Sequence, residues 1–132
     1  MKTTIEISSR INNIRKVSAQ ILESLSAYRL DAGTLFDIRL CTEEAVRNAM
    51  VHGNKADSKL SVRVDYWIED DRLNIEVEDE GPGFKPGDVP DPTCNSGLMK
   101  ESGRGMRLIR ELMDKVDFNG KGNKIIMEKV LR

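Results

Sequence analysis

Two periods of hydrophobicity alternate along this chain. Ile11, Ile14, Val17, Ile21, Leu22 and Leu25 recur at three- and four-residue spacing, which predicts an amphipathic helix capped by Ser8 or Ser9 and ending near Leu30. Asp31 to Thr34, Gly33 included, reads as a break. A second helical pattern runs through Leu35, Ile38, Ala45, Val46 and Ala49 to about Val51, and Gly53 stops it. At Leu60 the period becomes two. Leu60, Val62, Val64, Tyr66 and Ile68 share one face, with Ser61, Arg63, Asp65 and Trp67 on the other. After the polar turn Glu69 to Arg72, the face continues through Leu73, Ile75 and Val77, which predicts an antiparallel hairpin. Thr3 to Ile7 alternates weakly, as an edge strand does.

The remainder divides in the same way. Pro86, Pro90 and Pro92 with Gly87 and Gly97 make Lys85 to Ser102 poor material for regular structure, and so long a loop in a compact domain is functional or disordered. Met106, Ile109, Leu112, Met113 and Val116 predict a third helix. Asp117 to Leu131 then reads as two short strands around a turn at Asn119 to Asn123. The order is strand, two helices, two strands, loop, helix, two strands. It predicts an α+β fold of two layers, with three helices on one face of a mixed, mostly antiparallel sheet.

Composition narrows the functional classes. A length of 132 residues fits one domain, 1–132, and 39% hydrophobic with 33% charged residues fits a soluble globular chain. The net charge of -1 argues against a binder of nucleic-acid backbone, which needs a basic excess. The polar N-terminus MKTTIEISSR and the lack of an apolar run of ~18 residues lead to the expectation of a cytoplasmic protein. Cys41 and Cys94 lack metal-ligand spacing and read as reduced thiols, and one histidine, His52, cannot build a His-based zinc cluster.

Chemistry enters at EVEDEGPGFKP, Glu76 to Pro86. Counting back by twos from Asp79 gives Val77, Ile75 and Leu73, so this acid falls on the face that should be buried. Either the strand end frays and Asp79 reaches solvent or caps the turn, or Asp79 accepts a hydrogen bond from a buried ligand. An exocyclic amine such as that of adenine is the obvious donor, with Gly81 and Gly83 allowing close approach. A second motif, Ser102-Gly103-Arg104-Gly105, leads into the third helix. It is a flexible lead-in, or its free N–H groups and the helix dipole hold phosphate. A third lies on helix two, where Glu44, Asn48 and His52 form a stripe at four-residue spacing and Glu43 and Arg47 an exposed pair. Asn48 is a neutral oxygen ligand suited to Mg²⁺, and Glu44, one turn earlier, can accept a proton from a hydroxyl or water. Taken singly, each also reads as a solvated helix residue.

Together, Glu44-Ala-Val-Arg-Asn48-Ala-Met-Val-His52-Gly53, Asp79-Glu-Gly81-Pro-Gly83-Phe84 and Gly103-Arg-Gly105-Met-Arg-Leu-Ile resemble the asparagine box and two glycine boxes of the GHKL ATPases. That superfamily is named for gyrase, a heat-shock chaperone, the histidine kinases and MutL. Within it the whole chain resembles the anti-sigma factor serine/threonine kinases of the RsbW and SpoIIAB type. EEAVRNAMVHG, SGRGMRLIRELMDKV and a last strand with Met127-Glu128-Lys129 carry the likeness. The resemblance implies a Bergerat-type ATP-binding fold and the cofactors ATP and Mg²⁺. It implies Glu44 as general base, Asn48 as Mg²⁺ ligand, Asp79 as the adenine contact with Gly81 and Gly83 beside it, and Gly103 and Gly105 at the phosphates. Arg104 between them is a candidate for phosphate or partner contact, or a solvated residue. Many relatives carry a threonine near the start of the last strand, where Asn123 and Lys124 stand here, and Lys124 could approach phosphate from there.

The implied function is an anti-sigma factor that sequesters an RNA polymerase sigma factor and phosphorylates a STAS-domain antagonist, as a homodimer that binds no nucleic acid or membrane. The first helix, with Arg10 and Arg15 on its polar side, and the loop before the third helix are the candidate docking surfaces, though exposed arginines also serve solubility alone. A sensor histidine kinase needs a phosphoacceptor histidine on another helix, and gyrase-like enzymes need further domains, so a stand-alone ATP-binding domain is expected. The alternatives are a nucleotide-dependent binding module with little or no phosphotransfer, and a simple ATPase.

Overall fold

The computed structural model describes residues 2–82 and 100–131, with 100–104 as backbone alone. Ten pieces of regular structure follow one another in it. β1 (Thr3–Ser8) leads through a 3-10 turn (Ile11–Asn13) to α1 (Ile14–Ser24), and α2 (Ala32–Asn48) runs into a π-helical turn (Ala49–Gly53). β2 (Ser61–Glu69) and β3 (Arg72–Glu78) form the hairpin; α3 (Lys100–Leu112), β4 (Lys115–Phe118) and β5 (Lys124–Val130) complete the described chain. The sheet order is β1-β2-β3-β5-β4. Every pairing among the described strands is antiparallel, so the expected mixed character is absent from them.

The register explains which face is buried. Ile5 lies opposite Val64, Val64 opposite Val77, and Val77 opposite Ile125; one step along, Tyr66, Ile75, Met127 and Val116 line up across four strands. The period of two thus delivers one continuous apolar sheet face. Val17 and Ile21 of α1, Ile38 and Val46 of α2 and Ile109 of α3, all 0% exposed, form one core with Val62, Val64, Leu73 and Ile75 of the sheet. The other sheet face is charged. It carries the pairs Arg63–Asp65 at 3.4 Å and Lys124–Glu76 at 3.6 Å. Asp65 is nonetheless buried, and it also accepts the Thr4 hydroxyl from the strand opposite.

Several element ends differ from the sequence expectation. Ser9 does not cap α1: its hydroxyl donates to the Leu60 carbonyl at 2.9 Å, tying β1 to the start of β2, and α1 begins only at Ile14. α1 also stops at Ser24, where Leu25 and Ser26 bond back three residues to Leu22 and Glu23. α2 begins earlier than expected, because Asp31 is its cap and accepts the Thr34 N–H at 2.6 Å. α3 likewise starts at Lys100, so Gly103 and Gly105 lie inside it and not ahead of it. The hairpin turn is made by Asp70 and Asp71, at φ 52° and 58°, left-handed values that two-residue hairpin loops require.

Candidate functional site

The site is organised along the C-terminal half of α2. Ala45, Val46, Ala49 and Met50 face inward and are buried, so Glu44 and Asn48 fall at the border of that face, half-buried, while His52 is exposed. Beyond Asn48 the helix widens, and the Asn54 N–H reaches the Ala49 carbonyl at 2.8 Å across five residues. Lys55 and Ala56 follow at φ 52° and 58°, a left-handed conformation that costs a β-carbon-bearing residue energy and persists only where its surroundings hold it.

Two clusters sit at the two ends of this segment, with Gly53 about 7.5 Å beyond Asn48 and about 13 Å beyond Glu44 by helical rise. In the first, Gly105 of α3 packs onto Glu44 and Asn48. A methyl group on Gly105 would lie 2.6 Å from Glu44 Oε2 and 3.5 Å from Asn48 Nδ2, so the glycine supplies a close approach. In the second, Asp79 packs onto Gly53. A methyl on Gly53 would lie 2.2 Å from Asp79 Cγ, and one on Gly81 only 2.0 Å from the Gly53 carbonyl oxygen. The helix motif and the strand motif are therefore in contact, and that contact requires both glycines.

Asp79 does lie at the end of the buried β3 face, and it is half-buried. Burial pushes its carboxyl above the ordinary range, and the neighbouring Glu78 carboxylate pushes the same way. The Gly81 N–H, donated to Oδ1 at 2.8 Å, and the charge of Lys121 pull it back. A half-buried acceptor of this kind at the edge of a core suits a ligand that brings its own N–H donor.

The position of Gly103 and Gly105 inside α3 changes their reading. In an α-helix the N–H of Gly105 faces the carbonyl of residue 101, and the open N–H groups are those of the first turn. Gly83, Phe84 and Cys94 lie outside the described residues, as does the expected loop up to residue 99, and Arg104 is described by backbone alone. Lys124 points away from the site: it pairs with Glu76 on the charged sheet face. Glu43 takes Arg39 at 3.2 Å and the Ser18 hydroxyl at 2.7 Å. Cys41 is fully buried, and desolvation pushes its thiol up to about 12, so it is protonated and inert.

Sequence reasoning missed Asn54 and the role of Gly53, which read only as a helix stop. It also missed what Asn119 and Asn123 do. No periodicity marks such residues; a buried asparagine just after a helix-ending glycine was the available signal. A groove of about 430 Å³ opens between the start of α1 and α2, lined by Ile11, Arg15, Leu40, Glu43, Glu44 and Arg47. Ile11 on its rim is 59% exposed and Arg10 and Arg15 are also exposed. Among the described residues, no helix is long and apolar enough to cross a membrane, and no three His, Cys, Asp or Glu side chains gather as a metal cluster.

The family described as the histidine kinase-like ATPase domain matches residues 7–129. An anti-sigma F factor from Clostridium perfringens is 34% identical over 100 residues, covering 72% of this chain and 71% of that protein. A serine-protein kinase RsbW from Listeria monocytogenes is 25% identical over 142 aligned positions, covering 98% of this chain and 87% of that one. In three dimensions the chain resembles the RsbU and RsbW domains of a Mycobacterium tuberculosis protein, with a TM-score of 0.65 and 21% identity. That alignment takes in 98% of this chain and 31% of the longer one, and it concerns the fold.

Proposed function

From a chain that belongs to the histidine kinase-like ATPase domain family, we propose an anti-sigma factor with ATP-dependent serine/threonine kinase activity. One observation carries the reading: Glu44 and Asn48, a turn apart on α2, converge on Gly105, while Asp79 meets Gly53 at the far end of the same segment. That spacing suits a nucleotide whose base lies at Asp79 and whose phosphates lie toward Glu44. Asp79 accepts a hydrogen bond from the exocyclic amine of adenine, with Gly81 permitting close approach. Gly103 and Gly105 lie at the phosphate end, where the open N–H groups of the first turn of α3 add positive potential, and Arg104 between them is the candidate phosphate contact.

Asn48 offers one neutral oxygen, a donor suited to Mg²⁺, which keeps most of its shell as water and phosphate oxygen. When bound, that ion neutralises charge developing on the transferred phosphoryl group. Glu44 takes the proton of a substrate serine or threonine hydroxyl. The hydroxyl oxygen forms its bond to the γ-phosphorus as the bond to the bridging β–γ oxygen breaks, and ADP leaves. The groove beside Glu44, with Arg15 on its wall, gives a protein substrate a path to that carboxylate.

The relatives' names, anti-sigma F factor and serine-protein kinase, support a sigma factor as one partner and a serine-bearing protein as the substrate. The chain binds an RNA polymerase sigma factor and phosphorylates a STAS-domain antagonist, working as a homodimer in the cytoplasm. Phosphorylation adds roughly -1.5 to -2 charges to the antagonist and weakens its docking. The test adds γ-labelled ATP and Mg²⁺ to native-cell lysate with wild type or Glu44→Gln. A small protein labelled on serine or threonine only by wild type supports the kinase. Absent labelling with ATP-dependent co-purification of a partner leaves the binding module in its place.

A further inference from the structure

The strongest unassigned feature is a pair of asparagines on opposite sides of Asp79. Asn54, 2% exposed, uses its whole side chain: Nδ2 donates to Ser9 Oγ at 2.8 Å and to the Ser61 carbonyl at 3.0 Å, and Oδ1 accepts the Glu80 N–H at 2.8 Å. Asn123 approaches from the start of β5. Its Nδ2 donates to the Asp79 carbonyl at 2.9 Å, and its own carbonyl accepts the Asp79 N–H at 2.9 Å.

The Asp79 carbonyl and the Glu80 N–H belong to one peptide unit. That unit is therefore held at its oxygen by Asn123 and at its nitrogen by Asn54, and its rotation is fixed from both sides. Both holders are themselves anchored. Asn123 Oδ1 accepts from Asn119 Nδ2 at 2.8 Å, and Asn119 Oδ1 gathers the N–H groups of Gly122, Asn123 and Lys124. Asn54 is followed by the two left-handed residues Lys55 and Ala56, and its N–H closes the π-helical turn. The Glu80 carboxylate returns to the Ser61 N–H, closing a ring through β2.

Both ends of this one part-buried peptide unit are held by asparagine side chains from distant segments, where water or nearby backbone would satisfy the same groups without fixing the plane. A change in ψ of Asp79 or φ of Glu80 that turned this unit would alter how the Asp79 carboxylate meets the Gly81 N–H of the next peptide. We propose that Asn54 and Asn123 are positioning residues that fix the Asp79–Glu80 peptide plane and thereby set adenine selectivity. This rests on the reading of Asp79 as the base contact. Neither asparagine needs to touch the nucleotide.

The test measures Kd for Mg-ATP and Mg-GTP by calorimetry on wild type, Asn123→Ala and Asn54→Ala, with the thermal melt as a control for folding. Asn123 is half-buried at a turn, so Asn123→Ala is the variant that decides if Asn54→Ala does not fold. The expected result is ATP affinity lower by about five- to tenfold in Asn123→Ala, and lower still in Asn54→Ala. GTP affinity should change little, because guanine offers an acceptor where adenine offers the amine; the preference for ATP therefore shrinks. A folded Asn123→Ala with the wild-type ATP affinity and ATP-to-GTP ratio overturns the proposal, as does an equal loss for both nucleotides. Wild type that binds ATP no better than GTP removes the base-contact reading itself, and the proposal with it.

Discussion

The two ends of the site segment on α2 are built on opposite plans. At Gly53 and Asp79 the backbone is committed: glycines in steric contact, asparagine side chains on a single peptide unit, and left-handed residues held in place. At Glu44 and Asn48 the side chains stand half-buried on a regular helix, beside a groove and against one glycine of a neighbouring helix. The proposed function assigns the two ends different tasks that match this contrast. Selecting a rigid base needs a fixed acceptor, and preorganisation there reduces the ordering cost of binding. Moving a proton and admitting a protein substrate needs a carboxylate that can change its partners.

That difference predicts separable phenotypes. The largest effect is expected at the open end. Glu44→Gln should lower kcat for phosphotransfer by at least ~100-fold while the ATP Kd moves by less than about threefold, since the base acts in the chemical step. Equal changes in kcat and Kd would mean that the two ends are one unit. Next come the glycines. In Gly81→Ala the added methyl meets the Gly53 backbone at 2.0 Å, which cannot yield cheaply, so ATP affinity should fall by more than about tenfold and the protein lose about 1–3 kcal/mol. Gly105→Ala meets the far end of the Glu44 side chain at 2.6 Å, and that end can rotate. Its melt should stay within a few degrees of wild type while kcat falls, because the displaced atom is the proposed proton acceptor. A comparable melt loss in both variants would erase the distinction.

How much of this was legible beforehand depends on the kind of signal. The sheet and its buried face were readable because Val62, Val64, Leu73, Ile75 and Val77 keep a strict period of two, and the core requires it. Asp79 stood out as an acid on an apolar strand face, whereas Glu44 and Asn48 showed only as a four-residue stripe bordering the apolar face of helix two, a pattern that also fits solvated residues. The start of α3 was not, because glycine at 103 and 105 argues locally against helix by only about 1 kcal/mol each, and the fold around α3 overrides it. The capping role of Asp31 was hidden by Gly33, which suggests a break where the chain makes a first turn. Asn54 and Asn123 were hidden for a different reason. The partners that fix the peptide are backbone atoms 26 and 44 residues away in sequence, so only the assembled fold brings them together.

The smallest expected effect tests the committed end by its charge. Burial raises the Asp79 carboxyl above its unfolded value, so the folded protein holds that proton more tightly than the unfolded chain does. The contribution to stability is then fully present below the unfolded pKa and is lost as pH rises through the folded one; above that point the ionised group is a cost. Asp79→Asn removes that cost and keeps an oxygen for the Gly81 N–H. The variant should melt higher than wild type at pH 7, by roughly a few degrees, and the gap should close below the unfolded pKa of aspartate. Its ATP affinity should fall at the same time, because the amide can no longer present a charged acceptor to the adenine amine. A rise in melting temperature with a loss of affinity is the signature of a residue whose burial is maintained for its ligand. A fall in both would instead make Asp79 a structural cap, with its carboxylate needed by the turn it closes.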